Sequence, residues 1–234
     1  QMSLSMRAIT KSFSSNAVLK GVDFALEDGE IRALIGENGA GKTTLMNILG
    51  GVLRPDAGVI ELDGKRVEFA SPRDSLAAGI AFIHQELNLV NDLNVYENLF
   101  LGRERVRGAF TDTARMREEA RAVLERMGMA LDPCAMVRDL DASYKQVVEI
   151  ARALLFDARV IIMDEPTTSL TEPEIARVFA MMRAVKGQGV SIVFISHKLR
   201  EVLEICDTYT VLRDGVNVAA GATRETTEAE LARH

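Results

Sequence analysis

Gly36-Glu37-Asn38-Gly39-Ala40-Gly41-Lys42-Thr43 stands between an apolar run, Ile31-Arg32-Ala33-Leu34-Ile35, and Leu45-Met46-Asn47-Ile48-Leu49. The first flank reads as a buried strand and the second as the start of a helix, and the octapeptide fits G-x-x-x-x-G-K-[ST]. Strand, glycine loop and helix together build an anion site. Main-chain N–H groups and a helix N-terminus converge there, and glycine lets the backbone come close to phosphate oxygens. In such a loop Lys42 reaches the β- and γ-phosphates, and the Thr43 hydroxyl ligates Mg²⁺. The plainer alternative is a glycine-rich turn that only caps a helix. The loop reads as a nucleotide site.

A second apolar run, Val160-Ile161-Ile162-Met163, closes on Asp164 and Glu165. A carboxylate at a strand end can hold Mg²⁺, and the next can polarise an attacking water, which assigns Asp164 to the metal and Glu165 to general-base duty. Gln85 follows the short strand 80–83 and offers an amide to Mg²⁺ or the water; His197 follows the strand 190–195. Alone, either residue reads as an ordinary loop position. The carboxyl ends of parallel strands, however, gather at one crevice where ligands bind. Gly36, Gln85, Asp164 and His197 all sit just past such ends, which places them in one active site.

The remaining chain frames these pieces. Strands are expected at 6–9 and 18–26, and at 59–62 and 66–69 around a three-residue turn, Asp63-Gly64-Lys65. From about Leu87 to Asp157 strand signals vanish and helical patterns take over at 95–101, 112–127 and 143–156. Alternation then resumes: strands at 159–163, 190–195 and 208–213, helices at 172–186 and 198–205, then a turn at Asp214-Gly215, a last strand and a terminal helix at 226–233. This pattern predicts an α/β fold with a mainly parallel sheet and an antiparallel β edge. Its nucleotide-binding core spans 5–86 and 158–234, and residues 87–157 form an inserted α-helical subdomain.

At 234 residues and 47% hydrophobic, the chain can bury a sizeable core. Its formal net charge of −6 argues against nucleic acid as a partner, because phosphate neutralisation needs clustered Lys and Arg. The two cysteines, Cys134 and Cys206, lie far apart and read as buried thiols in a reducing compartment. No apolar run approaches the roughly 20 residues that span a bilayer, so the chain reads as soluble and cytosolic. Gln1 cannot be an initiator, and residues 1–4 read as an expression scar outside the fold.

The phosphate loop, Gln85, Leu140-Asp141-Ala142-Ser143-Tyr144-Lys145-Gln146, Asp164-Glu165-Pro166-Thr167 and Ser196-His197 occur in the order and spacing of an ABC-transporter nucleotide-binding domain, a P-loop NTPase. Ile83-His84-Gln85-Glu86-Leu87-Asn88-Leu89-Val90 and Val148-Glu149-Ile150-Ala151-Arg152-Ala153-Leu154 resemble the amino-terminal ATPase half of bacterial monosaccharide importers of the ribose, galactose and xylose type. So does the segment 165–172, with Thr171 where most ABC domains carry Asp. The resemblance implies ATP and Mg²⁺ as ligands, with Phe13 stacked on adenine where a core or edge Phe is the alternative. Gly36, Asn38, Gly39, Ala40, Gly41, Lys42, Thr43 and Thr44 would wrap the triphosphate, Thr43, Gln85 and Asp164 would hold the metal, and His197 would touch the γ-phosphate. It further implies a second ATPase half fused in a longer tandem protein, and head-to-tail pairing in which each ATP meets the partner's signature motif. Membrane permease subunits would dock on the helical subdomain, a periplasmic sugar-binding protein would act indirectly, and the chain would lie on the inner face of the plasma membrane.

The signature itself departs from the family's Leu-Ser-Gly-Gly-Gln. Here Leu140, Asp141, Ala142 and Ser143 lead into Tyr144, and Asp141 stands where a serine hydroxyl would face the partner's γ-phosphate. Two like charges at 4 Å repel by about 4 kcal/mol at an effective dielectric of 20. This predicts asymmetry, with a competent site on this chain's loop and a poorly hydrolysing one opposite Asp141. Three readings follow: an energy-coupling ATPase of a sugar importer, a non-transport ABC ATPase acting on nucleic acid or ribosomes, and a regulatory module that binds ATP without hydrolysing it.

Overall fold

The computed structural model describes residues 3–234, with side chains from residue 4 onward. The chain opens with a long antiparallel hairpin, β1 (Ser3–Phe13) and β2 (Asn16–Glu27), then enters β3 (Ile31–Ile35) and α1 (Lys42–Leu49). Next come β4 (Ala57–Leu62), β5 (Lys65–Val67), α2 (Pro72–Ala77), β6 (Ile80–Ile83) and α3 (Val95–Leu99). A small hairpin, β7 (Val106–Arg107) with β8 (Phe110–Thr111), precedes α4 (Thr113–Arg126) and α5 (Ala142–Leu155). The carboxyl-terminal part alternates β9 (Val160–Asp164), α6 (Glu172–Gly187), β10 (Ser191–Ser196), α7 (Leu199–Ile205), β11 (Thr208–Arg213), β12 (Val216–Ala222) and α8 (Glu228–Ala232).

Two sheets result. One is antiparallel, in the order β2-β1-β4-β5; the other runs β12-β11-β3-β10-β9-β6, parallel except for β12. The parallel strands are apolar on both faces because layers cover both. Successive side chains of a strand point to opposite faces, so each strand feeds two cores. Ile161, Met163, Ile192 and Phe194 join the helical side, with Val147 and Ile150 of α5 and Phe179 and Met182 of α6. Val160, Ile162, Val193 and Ile195 join the other side, where α1 lies between the sheets with Leu45, Met46 and Leu49 buried.

Several expectations are corrected. Leu4 pairs with Leu26 and Leu62 and is 1% exposed, so it belongs to β1 and the core; Gln1 and Met2 lie outside the described residues. The turn between β4 and β5 has two residues, not three. Asp63 and Gly64 both have positive φ, 55° and 77°, and Lys65 already pairs with Leu62. Residues 87–157 are not free of strand, since β7 and β8 pair through Val106 with Thr111 and Arg107 with Phe110. Cys206 is buried, but Cys134 is exposed, in a loop where its N–H donates to the Asp132 carboxylate.

Candidate functional site

Register brings the predicted residues together. Ser196 pairs with Ile35, Ile195 with Asp164, and Met163 with Ile83, so the carboxyl ends of β3, β10, β9 and β6 form one edge. Glycine shapes the loop that leaves β3. A Cβ at Gly36 would meet the Leu212 carbonyl oxygen at 2.7 Å and the Ala40 Cβ at 2.8 Å, and Gly41, at φ 104°, lets Leu19 and Val18 of β2 pack against the loop. Gly41 begins α1 with no side-chain cap on the first amides, which are therefore free of local competition for a phosphate. Asn38, Gly39 and Thr43 are exposed, Thr44 is half-buried and Ala40 is buried. The Gly215 N–H donates to the Ala40 carbonyl, and the Lys20 N–H to the Gly215 carbonyl, which ties loop and β2 together.

Lys42 folds back onto the Gly36 carbonyl, to which its Nζ donates, and it is 8% exposed. Burial lowers its pKa; the Glu165 and Asp164 carboxylates, close enough to act on it, pull the other way. The Asp164 carboxyl is raised by burial first and then by Glu165, with His84 and Lys42 opposing. Glu165 itself stands at φ 47°, a strained turn off the strand, fixed by its N–H donating to the Ile195 carbonyl at 3.0 Å. Its Oε1 lies 2.9 Å from His197 Nδ1. Its Oε2 is buried and has no partner among the described residues. Gln85, His84, Asp164, Glu165 and Ala142 line one cleft of about 90 Å³. The donors expected for magnesium, a hydroxyl, an amide and a carboxylate, are all oxygen ligands of the kind that ion takes. A half-buried carboxyl resisting its own charge and an unpartnered carboxylate oxygen beside it fit a bound cation and a positioned water.

Phe13 lies at the tip of the β1–β2 hairpin, 45% exposed, with Lys11 Nζ 5.6 Å from its ring centre. It is no core residue. It makes no described contact with the strand-end cluster, although β2, which follows that tip, lays Val18 and Leu19 against the loop at Gly41.

The loop after the acids is pinned by contacts that sequence reasoning did not assign. Gln146 Nε2 of α5 donates to the Pro166 carbonyl, and the buried Thr167 hydroxyl donates to Glu201 Oε1 of α7 at 2.5 Å. His84, adjacent to Gln85, stacks on Phe82 at 4.1 Å and adds to the field on Asp164. Its place at a strand end was a legible signal, whereas Glu201 on a helix carried none.

Asp141 does not stand alone. It caps α5 by accepting the Tyr144 N–H at 2.9 Å, and it also accepts the Ser143 hydroxyl at 2.6 Å and Arg177 Nη1 of α6 at 3.0 Å. Burial alone would raise its pKa, but these three bonds and the Arg177 charge hold the carboxyl below its ordinary range. The unpaired charge on which the repulsion argument rests is thus locally compensated. Leu140 packs against the helical-side core.

The family model described as "ABC transporter" matches residues 19–168. The chain belongs to the ABC transporter family. As an ABC domain it is 54% identical over 215 residues to a ribose import ATP-binding protein of Chromobacterium violaceum, covering 92% of this chain and 43% of that protein. It is 49% identical over 218 residues to one from Bacillus licheniformis, covering 93% and 44%. The chain thus spans less than half the length of these curated relatives. Among solved structures, a nucleotide-free ATP-binding cassette from an ABC transporter superposes with a TM-score of 0.82 at 25% identity, covering 100% of this chain and 94% of that one. The ADP conformation of another such cassette gives 0.84 at 26%, covering 96% and 92%.

Proposed function

We propose that this chain is the first ATP-binding and ATP-hydrolysing domain of a bacterial sugar importer, with ribose the leading candidate from its relatives' names. The observation that carries the reading is the gathering of Lys42, Asp164, Glu165 and His197 at adjacent parallel strand ends behind a glycine loop. Phe13 stacks on adenine, the amides of residues 38–44 wrap the triphosphate, and Lys42 exchanges the Gly36 carbonyl for phosphate oxygens. Glu165 Oε2 takes a proton as the water oxygen bonds to the γ-phosphorus and the bond to the β–γ bridging oxygen breaks. His197 holds Glu165 through Oε1 and faces the γ-phosphate. Magnesium held by Thr43, Gln85 and Asp164 would neutralise charge on the transferred phosphoryl group.

A division into a core, 5–86 with 158–234, and a helical subdomain, 87–157, suits the partners of this reading. A second ATPase domain in the same polypeptide accounts for relatives about twice as long as this chain. A groove of about 280 Å³ between the two parts, lined by Leu76, Phe82, Leu101, Arg103, Arg152 and Phe156, suits a helix from a membrane permease. Leu76 and Leu101 are 44% and 47% exposed there. No described helix is long and apolar enough to cross a membrane, so on this reading the chain lies against the inner membrane face through that permease. A periplasmic sugar-binding protein delivers the cargo. Reconstituted with permease and binding protein, the complex should take up ribose into vesicles loaded with ATP, and Lys42→Ala should abolish uptake. ATP-independent uptake, or uptake untouched by that variant, would overturn the reading.

A further inference from the structure

Arg177 lies outside every motif that the sequence displays, yet it touches three of the four changed signature positions, Asp141, Ser143 and Tyr144. Its Nη1 donates to Asp141 Oδ2 at 3.0 Å and to the Ser143 hydroxyl at 2.6 Å, and its guanidinium carbon lies 4.1 Å from the Tyr144 ring centre. Asp141 Oδ1 meanwhile takes the Ser143 hydroxyl and the Tyr144 N–H. Both carboxylate oxygens are therefore engaged, and the Ser143 side chain is fully buried. Neither Asp141 nor Ser143 is free to turn a donor toward a ligand. Both described bonds of the arginine use Nη1; among the described residues none uses Nη2 or Nε. The side chain is 29% exposed. A planar fork of N–H donors, held by an ion pair on one edge and an aromatic face below, keeps its outer edge for an oxyanion, and guanidinium suits phosphate in geometry as well as charge.

We propose that Arg177 replaces the missing signature serine: its outer edge binds the terminal phosphate of the ATP held by the partner ATPase domain. The proposal rests on the head-to-tail pairing given above and gives the degenerate signature a working donor. Asp141 then orients the arginine, and the local charge of the pair is zero rather than −1.

The test is photolabelling with Mg²⁺ and 8-azido-ATP in the assembled importer, with label on the partner ATPase domain and on this chain counted separately. Arg177→Ala should lower label on the partner domain at least tenfold while label on this chain stays within about twofold. Arg177→Lys should recover part of the loss. Asp141→Ser with Arg177→Ala, which restores the hydroxyl and removes the bare carboxylate, should recover most of it. Undiminished partner label in Arg177→Ala would overturn the proposal. An equal fall on both domains would also overturn it, marking the arginine as a clamp between α5 and α6. Partner label that stays the same when residues 140–144 are replaced as a block would overturn the pairing itself and the proposal with it.

Discussion

Asp164 is held above the ordinary carboxylate range by burial and by the Glu165 charge, against the pull of His84 and Lys42. The folded state thus binds a proton at this site more readily than the unfolded chain. Stability from this group is complete at low pH and is lost as pH rises through the raised folded value. Asp164→Asn removes that penalty. Without nucleotide it should melt above the natural protein at neutral pH. The gap should close as pH falls into the carboxylate range, and scanning calorimetry across pH checks both. An Asn variant that melts lower at neutral pH contradicts the account. Asp164 and Glu165 were legible because an apolar strand ending on two acids shares the chain with a phosphate loop. Arg177 was not, since an arginine on a helix reads as part of a solvated face until the fold sets it over Tyr144.

Elements carried clearer signals where backbone chemistry is restrictive. Thr171 caps α6 by accepting the Glu174 N–H, and Glu174 reaches back to the Thr171 N–H, a reciprocal cap. Thr171→Ala should cost about 1 kcal/mol, seen as a lowered melting point, with ATP affinity preserved. Gly36→Ala should do the reverse. Its Cβ would meet backbone and a short side chain that cannot swing aside, so ATP affinity in a fluorescent-nucleotide titration should fall at least tenfold, or about 1.4 kcal/mol, with the fold intact. Unchanged affinity would show that the loop can move without cost. The strands with continuous apolar runs were legible for the same reason that they are buried on both faces. The β7–β8 hairpin was not: each strand has two residues, too few to show a period.

For the whole molecule, parallel order among β11, β3, β10, β9 and β6 does what no single residue does, lining up four strand ends at one edge. The sequence made that edge predictable through alternation of strands and helices. It could not reveal that His197 bonds Glu165 or that α5 and α7 pin the loop between them, because those contacts join segments that only tertiary packing brings together. The most direct test is Glu165→Gln, assayed for nucleotide binding and phosphate release in the assembled complex. ATP affinity should stay within about threefold of the natural protein while turnover falls at least about a hundredfold, the contribution of a general base. Turnover that survives the substitution would contradict the account.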